Sequence, residues 1–390
     1  MRHLSRALAD RGHRVDVASG PPYPNLDPRV RLIELPSLDL YARPRTWLGI
    51  PALPWRDVRA PIDITEYLLH ICGRFGEPYS FGERLARYMK NRIGHYDIVH
   101  DNQTLSHGVL KLKEMGFRVV GTIHHPITRD LKLALDAAED RKARALVRQW
   151  YGFVHMQKEV VRALDPIMVI SQSARRDAAE DFDIPLDRLH QIHLGIDTET
   201  FAPQPLAPRH ERRLIATVSA DVPLKGLSYL VGALVRLRPR YPDLDLTIVG
   251  TLRDGPARRL IETHDLGSRV RVISGLTDAE LAREYAAATI AVCPSLYEGF
   301  GLPVGEAMAC ETPVIATRAG ALPELVGDAG VLVRPACENA LATAIVSLLE
   351  DPDRRAMLGR AGRARILREF TWEKAAQRTE ALYHRALAPC

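Results

Sequence analysis

TIAVCPSLYEGFGLPVGEAMACETPVIAT, residues 289–317, decides how the chain is read. It opens on a β-branched run, passes through a turn containing Gly299 and Gly301, and closes on a second strand-like run, PVIAT. Glu298 and Glu306 lie eight residues apart, so one helix would put both carboxylates on roughly the same face. The glycines oppose that reading, because they form helices poorly and tolerate positive φ. Pro303 instead suits the first turn of a helix that continues through Val304, Glu306, Ala307 and Met308. Glu298 then sits in a loop and Glu306 one turn into the helix. Between them, backbone N–H groups lack intrahelical partners, and such an end attracts phosphate or hydroxyl oxygens.

Outward from this stretch, short β-branched runs alternate with helical segments: RVDVAS, DIVH, RVVGTI, PIMVIS, QIHL, LIATVS, LDLTIVG, RVRVIS and GVLV. That alternation predicts an α/β fold of parallel sheets covered by helices. The proline-rich FAPQPLAPRHER (201–212) reads as a linker before a fresh strand at Leu214, dividing the chain into two doubly wound domains. We expect a first domain over 1–203, a linker over 204–212, a second domain over 213–370 and a final helix over 371–390. Two such sheets facing one another leave a cleft at the carboxyl ends of their strands, where ligands bind. Residues Arg31 to Arg92, rich in proline and aromatics, read as loops and short helices; an acceptor platform and a surface insertion both fit.

The 390 residues, 46% of them apolar, can furnish two real cores, and a net charge of +5 gives nucleic acid binding little support. The five cysteines (Cys72, Cys293, Cys310, Cys337, Cys390) form no CxxC or Cys/His ligand spacing, so no metal site is expected. No apolar run reaches membrane-spanning length. The expected location is cytoplasmic, or peripheral at the inner face of the membrane. EDRKARALVRQWYGF (139–153) sets Arg141, Lys142, Arg144 and Arg148 beside Trp150, Tyr151 and Phe153. It fits a solvated helix face and also a helix lying on an anionic membrane.

SLYEGFGLPVGEAMACETPVIATRAGALPELVGDAGVLV (295–333) resembles the E-x7-E signature and downstream segment of family 4 glycosyltransferases of the GT-B fold. DIVHDNQTLSHGVL (97–110), GTIHHPI (121–127), HLGIDTETF (193–201) and FTWEKAAQRTEALY (370–383) resemble other parts of the same family, so the likeness covers essentially the whole chain. The resemblance implies two Rossmann-like domains facing across a cleft, with the last helix crossing back to the first. It implies that Glu306 hydrogen-bonds ribose hydroxyls of a nucleotide sugar and Glu298 the hydroxyls of the transferred sugar, with the backbone of Gly299, Phe300 and Gly301, and Leu302, around sugar and phosphate. Lys225 in SADVPLKGLSYLV, which alone would read as a surface lysine, is implied to pair with the donor diphosphate. An arginine usually stands five residues earlier; here Ala220 does, leaving Lys225 to carry more of the task or Arg318 or another cation to substitute. His124, with His125 as the fallback, is implied to contact the transferred sugar, although without the resemblance the pair reads as an incidental polar loop.

The implied reaction is retaining transfer from a nucleotide sugar to a hydroxyl of a lipid or saccharide, by front-face attack, with neither cofactor nor metal. A non-catalytic sugar-nucleotide-binding relative, and an epimerase or hydrolase on the same fold, are the alternatives. In the family a strand and a glycine-rich loop precede the helix read in HLSRALADRGH (3–13). Their absence would expose two sheet edges inside the domain, and about 20 in-frame residues are expected upstream. Glu311 stands where relatives usually carry a glycine at the helix C-terminus.

Overall fold

A computed structural model describes residues 1–46, 49–53, 55–136, 138–204, 209–218 and 222–388. The chain forms two compact units. One comprises residues 1–170, 174–192 and the stretch from Ala376 onward; the other comprises 171–173 and 193–375.

In the first unit the β-branched runs become short parallel strands: β1 (Asp16–Ser19), β2 (Arg31–Glu34), β3 (Val99–Asn102), β4 (Val119–Ile123), β5 (Ile167–Val169) and β6 (Leu189–Gln191). They form two sheets, β1-β2 and β3-β4-β5-β6. A cavity of about 460 Å³ lies between the edges of β1 and β3, with Val17, Ala18, Val99 and His100 among its walls. Helix His107–Glu114 and helix Phe153–Ala163 bury Val109, Leu112, Val160 and Val161 against Val119, Ile123 and Ile167. Each such side chain stabilises the fold by about 1.5–3 kcal/mol. The helix Trp372–Leu387 joins this unit from Ala376 on, where Glu380 pairs with Arg11 and His13 and the Tyr383 hydroxyl meets His100 Nδ1 at 2.6 Å.

The region from Arg31 to Arg92 is more regular than its composition predicts. RLIE forms β2, and helices run over Pro61–Ile71 and Glu77–Met89. The prolines mislead because Pro61 and Pro78 occupy the first turns of those helices, where the missing N–H costs nothing.

The second unit holds one six-stranded parallel sheet of β7 (Arg213–Val218), β8 (Asp245–Gly250), β9 (Val270–Ile273), β10 (Ile290–Cys293), β11 (Val314–Thr317) and β12 (Val331–Val333), in the order β12-β11-β10-β7-β8-β9. Counted from its own first strand this is 3-2-1-4-5-6, the order of a doubly wound nucleotide-binding sheet. The order reverses between β7 and β10, and the loops after those two strands carry Lys225 and Glu298. Leu214, Leu246 and Ile248 of the sheet pack with Leu230 and Leu234 of helix Leu227–Leu237 and Ile345 of helix Glu338–Leu349.

The unit boundary falls at 192/193, ahead of the linker expected over 204–212. Residues 193–203 are tied into the second unit: Ile196 N donates to Phe370 O (2.8 Å), and Arg363 Nη1 donates to Phe201 O (2.7 Å). At the far end of the proline-rich run, His210 N donates to Ala287 O at 2.9 Å. Pro205, Leu206, Ala207 and Pro208 lie outside the described residues. The composition of the run marks a change of unit, but hydrogen bonding, which composition does not record, moves the change upstream.

Glu311 ends helix Leu302–Ala309 with a φ of +57°. This is the left-handed conformation expected of the glycine it replaces, and it strains a residue with a Cβ by about 1–2 kcal/mol. Its carbonyl accepts from the Arg209 guanidinium at 3.3 Å. Glu311→Gly relieves the strain and, because glycine gives back part of the gain as chain entropy, is expected to raise the unfolding free energy by about 0.5–1 kcal/mol. Urea denaturation of the two proteins checks this.

Candidate active site

The site in the second unit is built where β7 and β10 diverge. After β7 the chain makes a short turn, Pro223–Lys225, and Gly226 at φ +63° starts the next helix. A Cβ on Gly226 would lie 2.1 Å from Pro294 O, so only glycine lets this turn lie against the loop after β10. Leu296 N donates to Leu224 O at 2.7 Å and fixes the two loops together.

That contact brings Lys225 to Glu298. Lys225 Nζ donates to Glu298 Oε1 at 2.7 Å, and the Ser295 hydroxyl donates to the same oxygen at 2.8 Å. Ser295 is buried, and its carbonyl accepts from the Thr317 hydroxyl. Behind Glu298, Ala321 N donates to Glu298 O (2.9 Å), and Gly320 at φ +56° leaves that carbonyl room that a Cβ would fill. The charge-assisted bond from Lys225 to Glu298 is worth about 1.5–3 kcal/mol.

Glu298 is followed by Gly299, Phe300 and Gly301, and Gly301 at φ +98° begins helix Leu302–Ala309 without a side-chain cap. The strand, loop and helix read from the sequence are all present. Phe300 is buried, its ring about 6 Å from those of His193 and Phe370. Its side chain therefore anchors the loop, and only its backbone is available to a ligand. Leu302 is exposed at the start of the helix.

Glu306, one turn in, is half-buried, and burial pushes its carboxyl up to about 7; the charge of Asp278 adds to the rise and a hydrogen bond with Tyr285 opposes it. Tyr285 is buried and its hydroxyl meets Thr217 Oγ1 of β7 at 2.7 Å. The structure thus joins Lys225 and Glu298 directly and sets Glu306 apart on the following helix. Arg318, exposed at the end of β11, donates its backbone N–H to Val333 O. Ala220 lies outside the described residues.

His124 belongs to the other unit, at the end of β4. Its Nε2 meets Asn102 Oδ1 at 2.9 Å. An amide oxygen only accepts, so Nε2 carries the proton and Nδ1 remains an acceptor. Burial lowers the pKa to about 4, leaving the ring neutral at neutral pH. Gln103, itself at φ +64°, takes the backbone N–H of His124 on its side-chain oxygen, and its Nε2 donates to His125 O at 2.9 Å. His125 turns to Asp130 Oδ2 (2.7 Å), which ties the fallback histidine to a structural pair. Asp101 Oδ2 accepts from Leu105 N at 2.8 Å and closes the loop; burial pushes this carboxyl up to about 6.

Four contributors escaped sequence reasoning. Asn102 and Gln103 end a strand in the run D-N-Q-T, a polar cluster that could have been singled out. Ser295 sits within the quoted stretch and reads as an ordinary turn residue. Tyr285 gave no signal, because its partners Thr217 and Glu306 are remote in sequence. Among the described residues no group of three or more His, Cys, Asp or Glu is placed to hold a metal ion, and no helix is long and apolar enough to cross a membrane.

Residues 198–365 match the family described as glycosyl transferases group 1, and residues 1–200 match glycosyltransferase family 4. The chain belongs to this glycosyltransferase family, and its two Rossmann-like units are those of the GT-B fold. It is 45% identical over 393 residues to the MMP alpha-(1->4)-mannosyltransferase of Mycolicibacterium hassiacum, covering 100% of this chain and 94% of that one. It is 33% identical over 325 residues to a D-inositol 3-phosphate glycosyltransferase of Salinispora tropica, covering 76% of this chain and 65% of that one. Among solved structures, sucrose-phosphate synthase from Thermosynechococcus elongatus superposes with a TM-score of 0.72 at 26% identity, covering 98% of this chain and 92% of that one.

Gly320→Ala would force a Cβ to within 2.1 Å of Glu298 O at a positive φ. It is expected to lower the unfolding free energy by about 2 kcal/mol, as measured by urea denaturation.

Proposed function

We propose that the chain transfers mannose from a nucleotide-activated donor to a hydroxyl of a saccharide acceptor, with retention at the anomeric carbon. The observation that carries the reading is the Lys225–Glu298 pair at the switch point of the second sheet, a cation and a carboxylate poised side by side where a doubly wound sheet takes its ligand. The choice of mannose rests on the likeness to the mannosyltransferase of M. hassiacum.

On this reading the donor separates the pair. Lys225 turns to the diphosphate, and Glu298 accepts hydrogen bonds from hydroxyls of the sugar. The backbone of Gly299, Phe300 and Gly301, with Leu302, borders sugar and phosphate, and Glu306 holds two ribose hydroxyls. His124, neutral and with Nδ1 as an acceptor, accepts from a substrate hydroxyl on this reading.

The acceptor oxygen forms a bond to the anomeric carbon as the bond to the leaving phosphate oxygen breaks, and that oxygen takes the acceptor's proton. No protein atom becomes covalently attached. Rate comes from holding the two substrates together and from the charge of Lys225 on the departing diphosphate. On this reading Lys225 fills the role that a metal ion would otherwise take.

The protein is incubated with GDP-, UDP-, ADP- and dTDP-sugars in the presence and absence of mannose oligosaccharides, and nucleotide release is followed. Acceptor-dependent release from a mannose donor, insensitive to EDTA and reduced at least about a hundredfold by Lys225→Ala, is the expected result. Tight donor binding without release under any acceptor would refute it, as would release independent of acceptor.

Glu306 makes the reaction pH-dependent. Its carboxyl titrates near 7 in the free protein, and only the ionised form offers both oxygens as charge-assisted acceptors to the two ribose hydroxyls. Donor KM is therefore expected to be constant above this pKa and to rise by up to about tenfold per unit as pH falls below it. In Glu306→Gln the profile flattens and KM stays high.

A further inference from the structure

The helix Pro61–Ile71 turns its acids inward and its aliphatic residues outward. Asp63 and Glu66 are buried on it and pair with Arg84, Asp63 at 2.5 Å. Ile64, Leu68 and Ile71 recur at intervals of four and three, so they share one face, and all three are exposed, Leu68 by 52%. An amphipathic helix on a water-facing surface shows the opposite arrangement.

This face continues onto a second helix. The Tyr41 ring lies 4.8 Å from that of His70 and 6.2 Å from that of Trp150, and Phe75 stacks on Trp150 at 5.4 Å. Gln149 Nε2 donates to Cys72 O, joining the ends of helices Pro61–Ile71 and Arg141–Trp150. On the second helix Leu146 and Trp150 are exposed one turn apart, in line with Lys142, with Arg141 and Arg148 also exposed. The helix contains four cations and no acid.

We propose that this face is a docking surface for an anionic phospholipid bilayer. Aliphatic side chains from one helix enter the acyl boundary, Trp150 and Tyr41 lie at headgroup level, and Arg141, Lys142 and Arg148 meet the lipid phosphates. A second copy of the chain is disfavoured as occupant, because a two-fold contact would set like-charged helices against each other. A saccharide is disfavoured because the Ile64–Leu68–Ile71 row offers it no hydrogen bond.

The test is co-sedimentation of the full chain with phosphatidylcholine vesicles, with and without phosphatidylglycerol. The protein is expected to sediment with the phosphatidylglycerol vesicles only, and less at high salt. Arg141→Glu with Arg148→Glu should weaken this binding by about tenfold or more, and Leu68→Glu with Leu146→Glu should abolish it. All four positions are exposed, so both variants should keep the wild-type thermal midpoint and glycosyl transfer to a soluble acceptor. Three results would overturn the proposal: no sedimentation of the wild type with phosphatidylglycerol vesicles, binding that survives both double substitutions, or a dimer in vesicle-free solution that Leu68→Glu with Leu146→Glu dissociates.

Discussion

The approach of two backbone loops, Gly226 against Pro294, is the constraint on which the second unit's chemistry depends. With a Cβ position 2.1 Å from a carbonyl oxygen, every residue other than glycine would push the β7 turn away from the loop after β10. The bond from Leu296 N to Leu224 O would then break, and Lys225 would lose its reach to Glu298. Strand order alone opens a crevice. The glycine contact places a cation and a carboxylate within hydrogen-bonding distance at its edge.

The strand–loop–helix order around Glu298 was legible because each step has a local cause: β-branched residues for β10 and β11, Gly301 for the left-handed entry to the helix, Pro303 for its first turn. Family likeness placed Lys225 in the same site from far away in sequence. What stayed hidden has its cause in distant contacts. The strand β2 lay in a stretch whose prolines read as loop, since four residues between Arg31 and Glu34 give too short a pattern to outweigh them. The unit boundary moved because Ile196 and Phe201 bond to residues beyond 360. The anchoring of the Phe300 ring beside His193 and Phe370 was likewise invisible, because both partners are remote in sequence.

The two glutamates of the quoted stretch differ in what surrounds them. Glu298 accepts from the Lys225 ammonium and the Ser295 hydroxyl. Glu306 has burial and the neighbouring Asp278, which raise its pKa, and only Tyr285 to oppose them. The same residue type eight positions apart is thus paired with a cation in one place and poised between charge states in the other, a contrast set by tertiary neighbours.

The pairing of Lys225 with Glu298 also bears on how the reaction ends. While a sugar nucleotide is bound, on the proposed assignment, both members have partners: diphosphate for one, sugar hydroxyls for the other. Once the sugar has moved to the acceptor and left with it, Glu298 on that assignment keeps the Ser295 hydroxyl but lacks a cation until it recovers Lys225. It would then compete with the spent nucleotide for Lys225. On the proposed assignment an intact donor satisfies both charges and the leaving nucleotide one, so the pair would discharge the second while still admitting the first.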